Sequence, residues 1–258
     1  PESEYVGFGT TTEAMAGITG VSGYADGPPQ MLSNAIGDPG SALNACFATL
    51  VGTFERDRRG AGVAIDLSHV EGLLPMNAAA LLDYTVNGRV QGRLGNRHPM
   101  MAPHGCYPCK GEDEWVVIAV ASDEMWEKFR FALSDPAWGR DERFATTQGR
   151  KTAEEEIDRH VTAWTQEQES AAVMETLQNA GVAAGIALSG PGILGDPHLA
   201  DREFLLGIDK AEAGTHFYPG FVPRFSPVPS TVRQPAPCFG EHNTYVFRSI
   251  LGLSVEEV

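Results

Sequence analysis

Cysteine is scarce in this chain: four residues, Cys46, Cys106, Cys109 and Cys238, among 258. Four thiols cannot staple a fold of this size, so the expected setting is a reducing cytoplasm. Basic charge is scarce as well. Nineteen Lys and Arg stand against 34 Asp and Glu, a formal net charge of −15. Nucleic-acid binders need a basic face for phosphate contacts, and the densest basic run, "RDRR" at 56–59, already contains an acid. The same deficit argues against attraction to an anionic membrane surface, though a local site for a small acidic ligand is compatible with it. No apolar run reaches the roughly 18–20 residues that span a bilayer. The first residues, "PESEYVGFG", show neither the charged nor the apolar part of a secretory leader. Three motifs are missing too: the G-x-S-x-G elbow of serine hydrolases, a G-x-G-x-x-G opening a helix, and G-x-x-x-x-G-K-[ST].

What is present is an ordinary globular composition, 42% hydrophobic with 29 Gly and 17 Pro, and an alternation of helix and strand patterns. Leu43, Phe47, Leu50, Val51 and Phe54 recur at helical spacing, and the run closes on arginines and Gly60. "GVAIDLSHV" at 62–70 alternates like a strand, and "VEGLLPMNAAALLDYTV" reads as a helix that Pro75 either tolerates or kinks. Residues 88–111 are rich in Gly and Pro and read as one long irregular loop, a length that usually carries function. "WVVIAVA" and "VAAGIAL" read as strands, and helices are expected in "SDEMWEKFRFAL", with Ser122 as cap, "TAEEEIDRHVTAWTQ", "ESAAVMETLQNAG" and, last, "TYVFRSILGL". The class is therefore α/β, and the proline-rich tail before the last helix crosses back over other structure rather than joining a central sheet.

Three groups of residues are candidates for chemistry. Asp38 opens a helix in "NAIGDPGSALNACFATL", where Asp-Pro-Gly makes a good N-cap with Pro at the first helical position. A carboxylate there is held ionised by the helix dipole, and an ionised, positioned carboxylate is what acyl transfer through an acid requires. Both readings stand at this point. "GNRHP" and "APHG" place His98, His104 and Arg97 on a Gly/Pro loop, either as structural hydrogen-bonders or as a surface facing a ligand. Cys106 and Cys109 form one C-x-x-C; no second pair completes a zinc site and no common zinc spacing includes the two histidines, so they read as small apolar residues, and no metal is expected.

Taken together, "GDPGSALNACFATLVGTFERDRRGAGVAIDLSHVEGLL", "GNRHPMMAPHGCYPCKGEDEWVVIAVASDEMW", "LGDPHLADREFL", "PGFVPRFSPVP" and "PAPCFGEHNTYVFRSILGLS" resemble, in order, successive blocks of the class III CoA-transferase (CaiB/BaiF) family, the formyl-CoA transferase and carnitine CoA-transferase type. Within it, the loop wording is similar to that of transferases for aromatic or branched dicarboxylates, such as the benzylsuccinate enzyme. The resemblance implies a fold made of part of a large nucleotide-fold-type domain plus a smaller α+β domain. Residues 1–85 would be the later part of the large domain, 86–94 a linker, 95–190 the small domain, and 191–258 a linker and return to the large domain. It implies that Asp38 is the catalytic aspartate, taking up CoA as an aspartyl-CoA thioester. Phe8, Asn96, Arg97, His98, His104 and Gly105 would be substrate or CoA contacts, with the 95–105 loop covering the site although it lacks the glycine-rich wording known in the formyl-CoA enzyme. No permanently bound cofactor is implied; coenzyme A and acyl-CoA enter as substrates, with a carboxylic acid as acceptor.

The chain resembles only the larger C-terminal part of such enzymes. The expected partner is therefore a chain supplying the N-terminal half, or a second copy in the interlocked dimer of the family. Racemases of 2-methylacyl-CoA belong to the same family and use a histidine–aspartate pair. Their histidine falls at Phe8, which carries no proton, and their glutamate falls near Asp123. The rival readings are thus an acyl-CoA racemase or isomerase, and a non-catalytic subunit of a split transferase.

Overall fold

The computed structural model describes residues 4–32, 34–226, 232 and 234–257. It falls into two compact units, Pro1–Ile186 and Ala187–Val258. The first unit opens with helices α1 (Gly9–Met15), α2 (Ile18–Val21) and the long α3 (Gly37–Arg59). α3 ends as its sequence demands: Arg56, Arg58 and Arg59 fill the last turn, and Gly60 takes a left-handed φ of 75°. Its apolar stripe is there as well, yet Leu43, Phe47, Leu50, Val51 and Phe54 are 46–74% exposed. Of α3 only Gly37, Gly40 and Ser41 are buried.

Residues 62–68 correct an expectation. They form no strand, because among the described residues no neighbour offers its backbone groups; Val63 and Ile65 instead lie against Gly52 of α3. Helix α4 (His69–Leu73) follows, capped by Ser68, whose Oγ accepts the Glu71 N–H at 3.3 Å. Pro75 breaks the next run: a 3₁₀ turn, Leu74–Asn77, separates α4 from α5 (Ala78–Asn87). The core of this part is small, made of Ala16, Ile18 and Leu73 with Ile36 and Val70 against them.

The larger core lies further along the chain. Strands β1 (His104–Pro108), β2 (Trp115–Ala119) and β3 (Ala183–Ile186) pair antiparallel in that order. β1 corrects the reading of 88–111 as irregular throughout. "HGCYP" has no apolar alternation of its own, and pairing with β2 decides its state. Val116 and Ile118 of β2 are buried while Val117 between them is not, so one face of the sheet meets the helices. Those are α6 (Asp123–Ala132), α7 (Thr147–Thr152), α8 (Glu154–Thr165) and α9 (Ser170–Asn179). Ser122 caps α6 as expected, accepting the Met125 N–H at 3.1 Å. Trp126 and Phe129, Ile157 and Val161, and Val173 and Leu177 enter the core at three- and four-residue spacing. Burying each such side chain contributes about 1.5–3 kcal/mol, so most of the hydrophobic stabilisation sits here.

Carboxylates tie these helices together. Asp123 accepts from Thr147 and Arg150, both at 2.9 Å, and Arg143 bridges Asp141 at 2.7 Å and Glu156 at 2.9 Å. The Thr147 hydroxyl and then Arg150 hold Asp123 below its ordinary value, and Arg143 does the same for Asp141 and Glu156. A carboxylate lowered by folding contributes stability that is complete above its unfolded value and is lost as pH falls through the folded one. Because these carboxylates are largely exposed and screened by solvent, thermal stability followed by near-ultraviolet circular dichroism of the tryptophans is expected to fall only modestly below about pH 4. A midpoint unchanged at pH 3 would contradict this.

The second unit holds α10 (Gly190–Leu194), α11 (Pro197–Asp201), a hairpin of β4 (Leu205–Lys210) and β5 (Gly214–Pro219), and a helical segment Tyr245–Ile250 wound in π-type turns. Asp196 caps α11 through the Leu199 N–H at 2.8 Å. Among the described residues, none of this unit belongs to either hydrophobic core. Part of the proline-rich tail, residues 227–231 and 233, and with it part of "PGFVPRFSPVP", lies outside the described residues.

Candidate functional site

The candidate residues fall into two groups. Phe8 and Asp38 belong to the first, at the meeting of α1 and α3. Asp38 is not the N-cap its sequence suggests. α3 starts two residues earlier than expected, at Gly37, with Ile36 in the cap position, and Asp38 is its second residue. The chain enters the helix through Ala35, which takes a positive φ of 43°. No side-chain cap is needed: the Asp38 N–H donates to the Ala35 carbonyl at 3.1 Å, Pro39 has no N–H, and the Gly37 N–H is accepted from α1 by Oε1 of the fully buried Glu13 at 3.4 Å. Asp38 remains an acid in the first turn, where the helix dipole favours its charge.

Two glycines make this meeting possible. A methyl group at Gly9 would come within 2.9 Å of both Cγ and Oδ2 of Asp38, so the carboxylate lies directly on the Gly9 backbone. A methyl group at Gly37 would come 2.7 Å from Thr12 Oγ1 and 2.9 Å from the Gly9 carbonyl oxygen. Phe8 caps α1: its N–H donates to Thr11 Oγ1 at 2.8 Å, and its ring is 74% exposed. Asp38 is exposed too.

Asn96, Arg97, His98, His104 and Gly105 form the second group. The loop that carries them is tied down at several points. Gly95 N–H donates to the Gly23 carbonyl at 2.8 Å, and Asn96 Nδ2 to the Tyr24 hydroxyl at 3.4 Å. Lys151 Nζ donates to the His98 carbonyl and Arg150 Nε to the Ala102 carbonyl, each at 2.8 Å. His104 Nδ1 lies 2.7 Å from the Asn96 carbonyl oxygen. A carbonyl can only accept, so Nδ1 carries the hydrogen and Nε2 of the neutral ring offers a lone pair. His98 is the opposite case: its Nδ1 accepts the Met100 N–H at 3.1 Å, which leaves the hydrogen on Nε2. The two rings stand 5.3 Å apart, tilted by 39°. Arg97 faces Asp158 at 3.3 Å, Glu154 at 3.6 Å and Glu155 at 4.0 Å, so an anionic ligand competes there with three resident carboxylates.

Beside this loop lies a cavity of about 550 Å³, lined among others by Asn96, Arg97, His104, Gly105, Val117 and Gly185. Its size is that of a small-molecule site. Cys106 also lines it, and burial pushes its thiol up; burial and then Glu114 do the same for Cys109. Neither environment favours a reactive thiolate, and both cysteines are free. Tyr107 is raised by burial and by Asp158, to which its hydroxyl donates at 2.7 Å. Among the described residues no hydrogen bond, ion pair or ring contact joins the two groups, and no group of three or more His, Cys, Asp or Glu could hold a metal ion. Among the same residues no helix is long and apolar enough to cross a membrane.

Two fully buried charged residues carry no sequence signal. Glu13 sits in "TTTEAMAG", which looks like any exposed helical acid, and Arg150 in "TQGRKT" looks like a surface arginine. Burial reveals both.

A family profile described as "CoA-transferase family III" matches residues 1–243. The chain belongs to that family. All of it aligns, at 31% identity, with 64% of the succinyl-CoA–D-citramalate CoA-transferase of Chloroflexus aurantiacus. It aligns equally fully, at 26% identity, with 64% of the succinyl-CoA–L-malate CoA-transferase beta subunit of the same organism. A succinyl-CoA:mesaconate CoA-transferase of Haloarcula hispanica is 27% identical over 80% of the chain and 51% of that protein. The fold is that of a CAIB/BAIF family protein from Brucella suis, with a TM-score of 0.85 over 97% of this chain and 64% of the other, at 23% identity. The mixed α/β class expected from the family resemblance is thus the fold observed. The chain thus spans 64% of the length of the two Chloroflexus proteins and 51% of the Haloarcula one.

Proposed function

We propose that this chain carries the nucleophile of a class III CoA-transferase, and that the nucleophile is Asp38. The observation that supports this most is the position of its carboxylate: exposed, in the first turn of a 23-residue helix, and resting on a glycine that leaves its face open. The reaction balances without any proton transfer. An Asp38 oxygen attacks the thioester carbonyl of the donor; the C–S bond breaks, giving a mixed anhydride and CoA thiolate. The thiolate attacks the Asp38 carbonyl, the anhydride C–O bond breaks, and the donor acid leaves with one oxygen from Asp38. What remains is the aspartyl-CoA thioester. The acceptor carboxylate then attacks that thioester and the two steps run in reverse, so that the acceptor departs as its CoA ester.

Both intermediates hydrolyse if water enters, so something has to cover Asp38. In this reading the 95–105 loop does so, and the cavity beside it receives the acyl part of the substrate, with Asn96, His104 and Gly105 at its wall. A dicarboxylic acid is the acceptor class favoured by the names of the relatives. Racemisation is disfavoured, because Phe8 has no proton to exchange and Asp123 is engaged by Thr147 and Arg150.

The full enzyme in this reading includes a part equivalent to the additional third of the relatives, either on the same polypeptide or on a partner. Residues 1–85 belong to its large domain and 95–190 to its small one, in keeping with the two separate cores. The exposed stripe of α3 is the surface that this part covers, since apolar patches of that extent mark interfaces. Leu50→Asp is expected to change the unfolding midpoint of this chain alone by no more than a typical surface substitution, within about 0.5 kcal/mol, yet to prevent assembly of the complete enzyme in size-exclusion chromatography. Normal assembly of the variant would contradict the covered stripe.

Intact-mass measurement of the complete protein mixed with an acyl-CoA tests the nucleophile. A mass increase equal to CoA less one water, mapped to Asp38, is the result expected. A productive reaction with the adduct on another residue, or with none, would overturn it.

A further inference from the structure

α1 buries an unusual face. A helix that packs for stability buries aliphatic residues, but the buried residues of α1 are Gly9, Thr12 and Glu13, spaced i, i+3 and i+4 along one stripe. All three meet the first turn of α3. Gly9 receives the Asp38 carboxylate, Thr12 Oγ1 abuts Gly37, and Glu13 Oε1 accepts the Gly37 N–H at 3.4 Å. Glu13 is 0% exposed and its second oxygen, Oε2, has no hydrogen-bond partner among the described residues; neither has the buried hydroxyl of Ser41, one turn further along α3.

A carboxylate buried on a single long hydrogen bond is a poor stabiliser. Burying a carboxyl group with one oxygen unpartnered costs free energy, and an apolar residue of similar size commonly serves a core as well or better. Packing therefore does not explain why a glutamate stands at this position. What it does achieve is local. It fixes the Gly37 amide, immediately before Asp38, from outside α3, while the Asp38 N–H bonds the Ala35 carbonyl and Pro39 has no N–H. The Asp38 oxygens are thereby left on the Gly9 side, exposed.

We propose that Glu13 is a positioning residue for CoA transfer: by holding the Gly37 N–H it sets the direction from which the Asp38 carboxylate meets the thioester. This rests on Asp38 being the nucleophile, as proposed above. The requirement is for an acceptor atom at that point and not for bulk. A misplacement of about 1 Å at a reacting group can cost on the order of 100-fold in rate.

The test compares Glu13→Gln, Glu13→Leu and Glu13→Ala in the complete enzyme. It reads kcat, KM for the acyl-CoA, the unfolding midpoint, and the rate at which hydroxylamine converts Asp38 to its hydroxamate in the presence of acyl-CoA. Leu and Ala are expected to lower kcat and the trapping rate by about 100-fold, with KM within about threefold of the parent. Gln, whose amide oxygen can accept the same bond, restores both to within about threefold of the parent. Leu fills the site, so its fold persists if Ala does not sustain one, and amide exchange at Gly37 is expected to quicken in both. Glu13 is overturned as a positioning residue if trapping at Asp38 is undiminished in the Leu variant, if the loss merely follows the fraction of folded protein, or if Gln is as impaired as Leu. Absence of any Asp38 hydroxamate in the parent enzyme, while transfer proceeds, sinks the nucleophile assignment instead, and this proposal with it.

Discussion

Asp38→Asn is expected to lower kcat for CoA transfer by at least about 10⁴-fold while leaving acyl-CoA binding near that of the parent. The amide occupies the same space on Gly9, and the carboxylate it replaces supports no part of the fold by a hydrogen bond among the described residues, so the fold should not change. What it loses is the negative oxygen. Covalent catalysis splits one difficult displacement into easier ones, and removing a nucleophile typically costs on the order of 10⁴–10⁶ in kcat because the remaining contacts only bind. Equilibrium binding of acyl-CoA measured by calorimetry, beside a transfer assay, separates the two effects. Loss of binding with undiminished turnover at saturation would mean that the carboxylate holds substrate rather than attacks it. Unchanged activity would favour the reading of this chain as a non-catalytic subunit.

The second large effect concerns stability. Arg150 is fully buried, its guanidinium 5.4 Å from the Trp126 ring centre. Its Nε donates to the Ala102 carbonyl at 2.8 Å, Nη1 to the Phe144 carbonyl at 2.9 Å, and Nη2 to Asp123 and Thr147 at 2.9 Å each. Replacement by Ala leaves two carbonyls without their donor at about 1–3 kcal/mol each, and adds a cavity under Trp126. A total loss of about 3–5 kcal/mol is expected, which for a chain of this size lowers Tm by roughly 6–20 °C. Asp123 itself is over half exposed and regains water, so it adds little to the loss. Lysine is no substitute, since one ammonium cannot reach four acceptors arranged around a planar fork. Arg150→Lys should recover less than half of the deficit. Thermal unfolding by circular dichroism checks both variants, and a change below 1 kcal/mol for Arg150→Ala would contradict the account. Because Ala102 lies in the 95–105 loop, the same substitution is expected to loosen that loop.

Much of the architecture was legible where a helix buries its own apolar stripe. α6, α8 and α9 lie close to the positions their periodicity indicates, because Trp126, Phe129, Ile157, Val161, Val173 and Leu177 find one shared core. Reading failed where a partner decides the state. Residues 62–70 have the alternation of a strand and no ladder to join, while 104–108 lack alternation and pair with β2 all the same. α3 shows both sides of this: its length, basic end and C-cap follow from sequence, but not the exposure of its stripe, which depends on what lies against it. Of the candidate site, Asp38 and the loop histidines were visible as residue types. The contact that holds the Gly37 amide was not, because Glu13 lies 24 residues before Gly37 and only the packing of α1 on α3 brings its oxygen there. Arg150 was hidden for the same reason, its acceptors being spread over three separate segments.

The central claim, transfer through an anhydride and a thioester on one carboxylate, leaves a mark that no binding role can leave. Each turnover gives one oxygen of the aspartate to the departing donor acid and takes one from the acceptor. The complete enzyme should therefore be run with an acceptor acid labelled with oxygen-18 in its carboxylate, then digested and the peptide containing Asp38 weighed. The account predicts that oxygen-18 accumulates in the Asp38 carboxylate over successive turnovers, toward replacement of both oxygens. Transfer that proceeds to completion with Asp38 still carrying only unlabelled oxygen would contradict it.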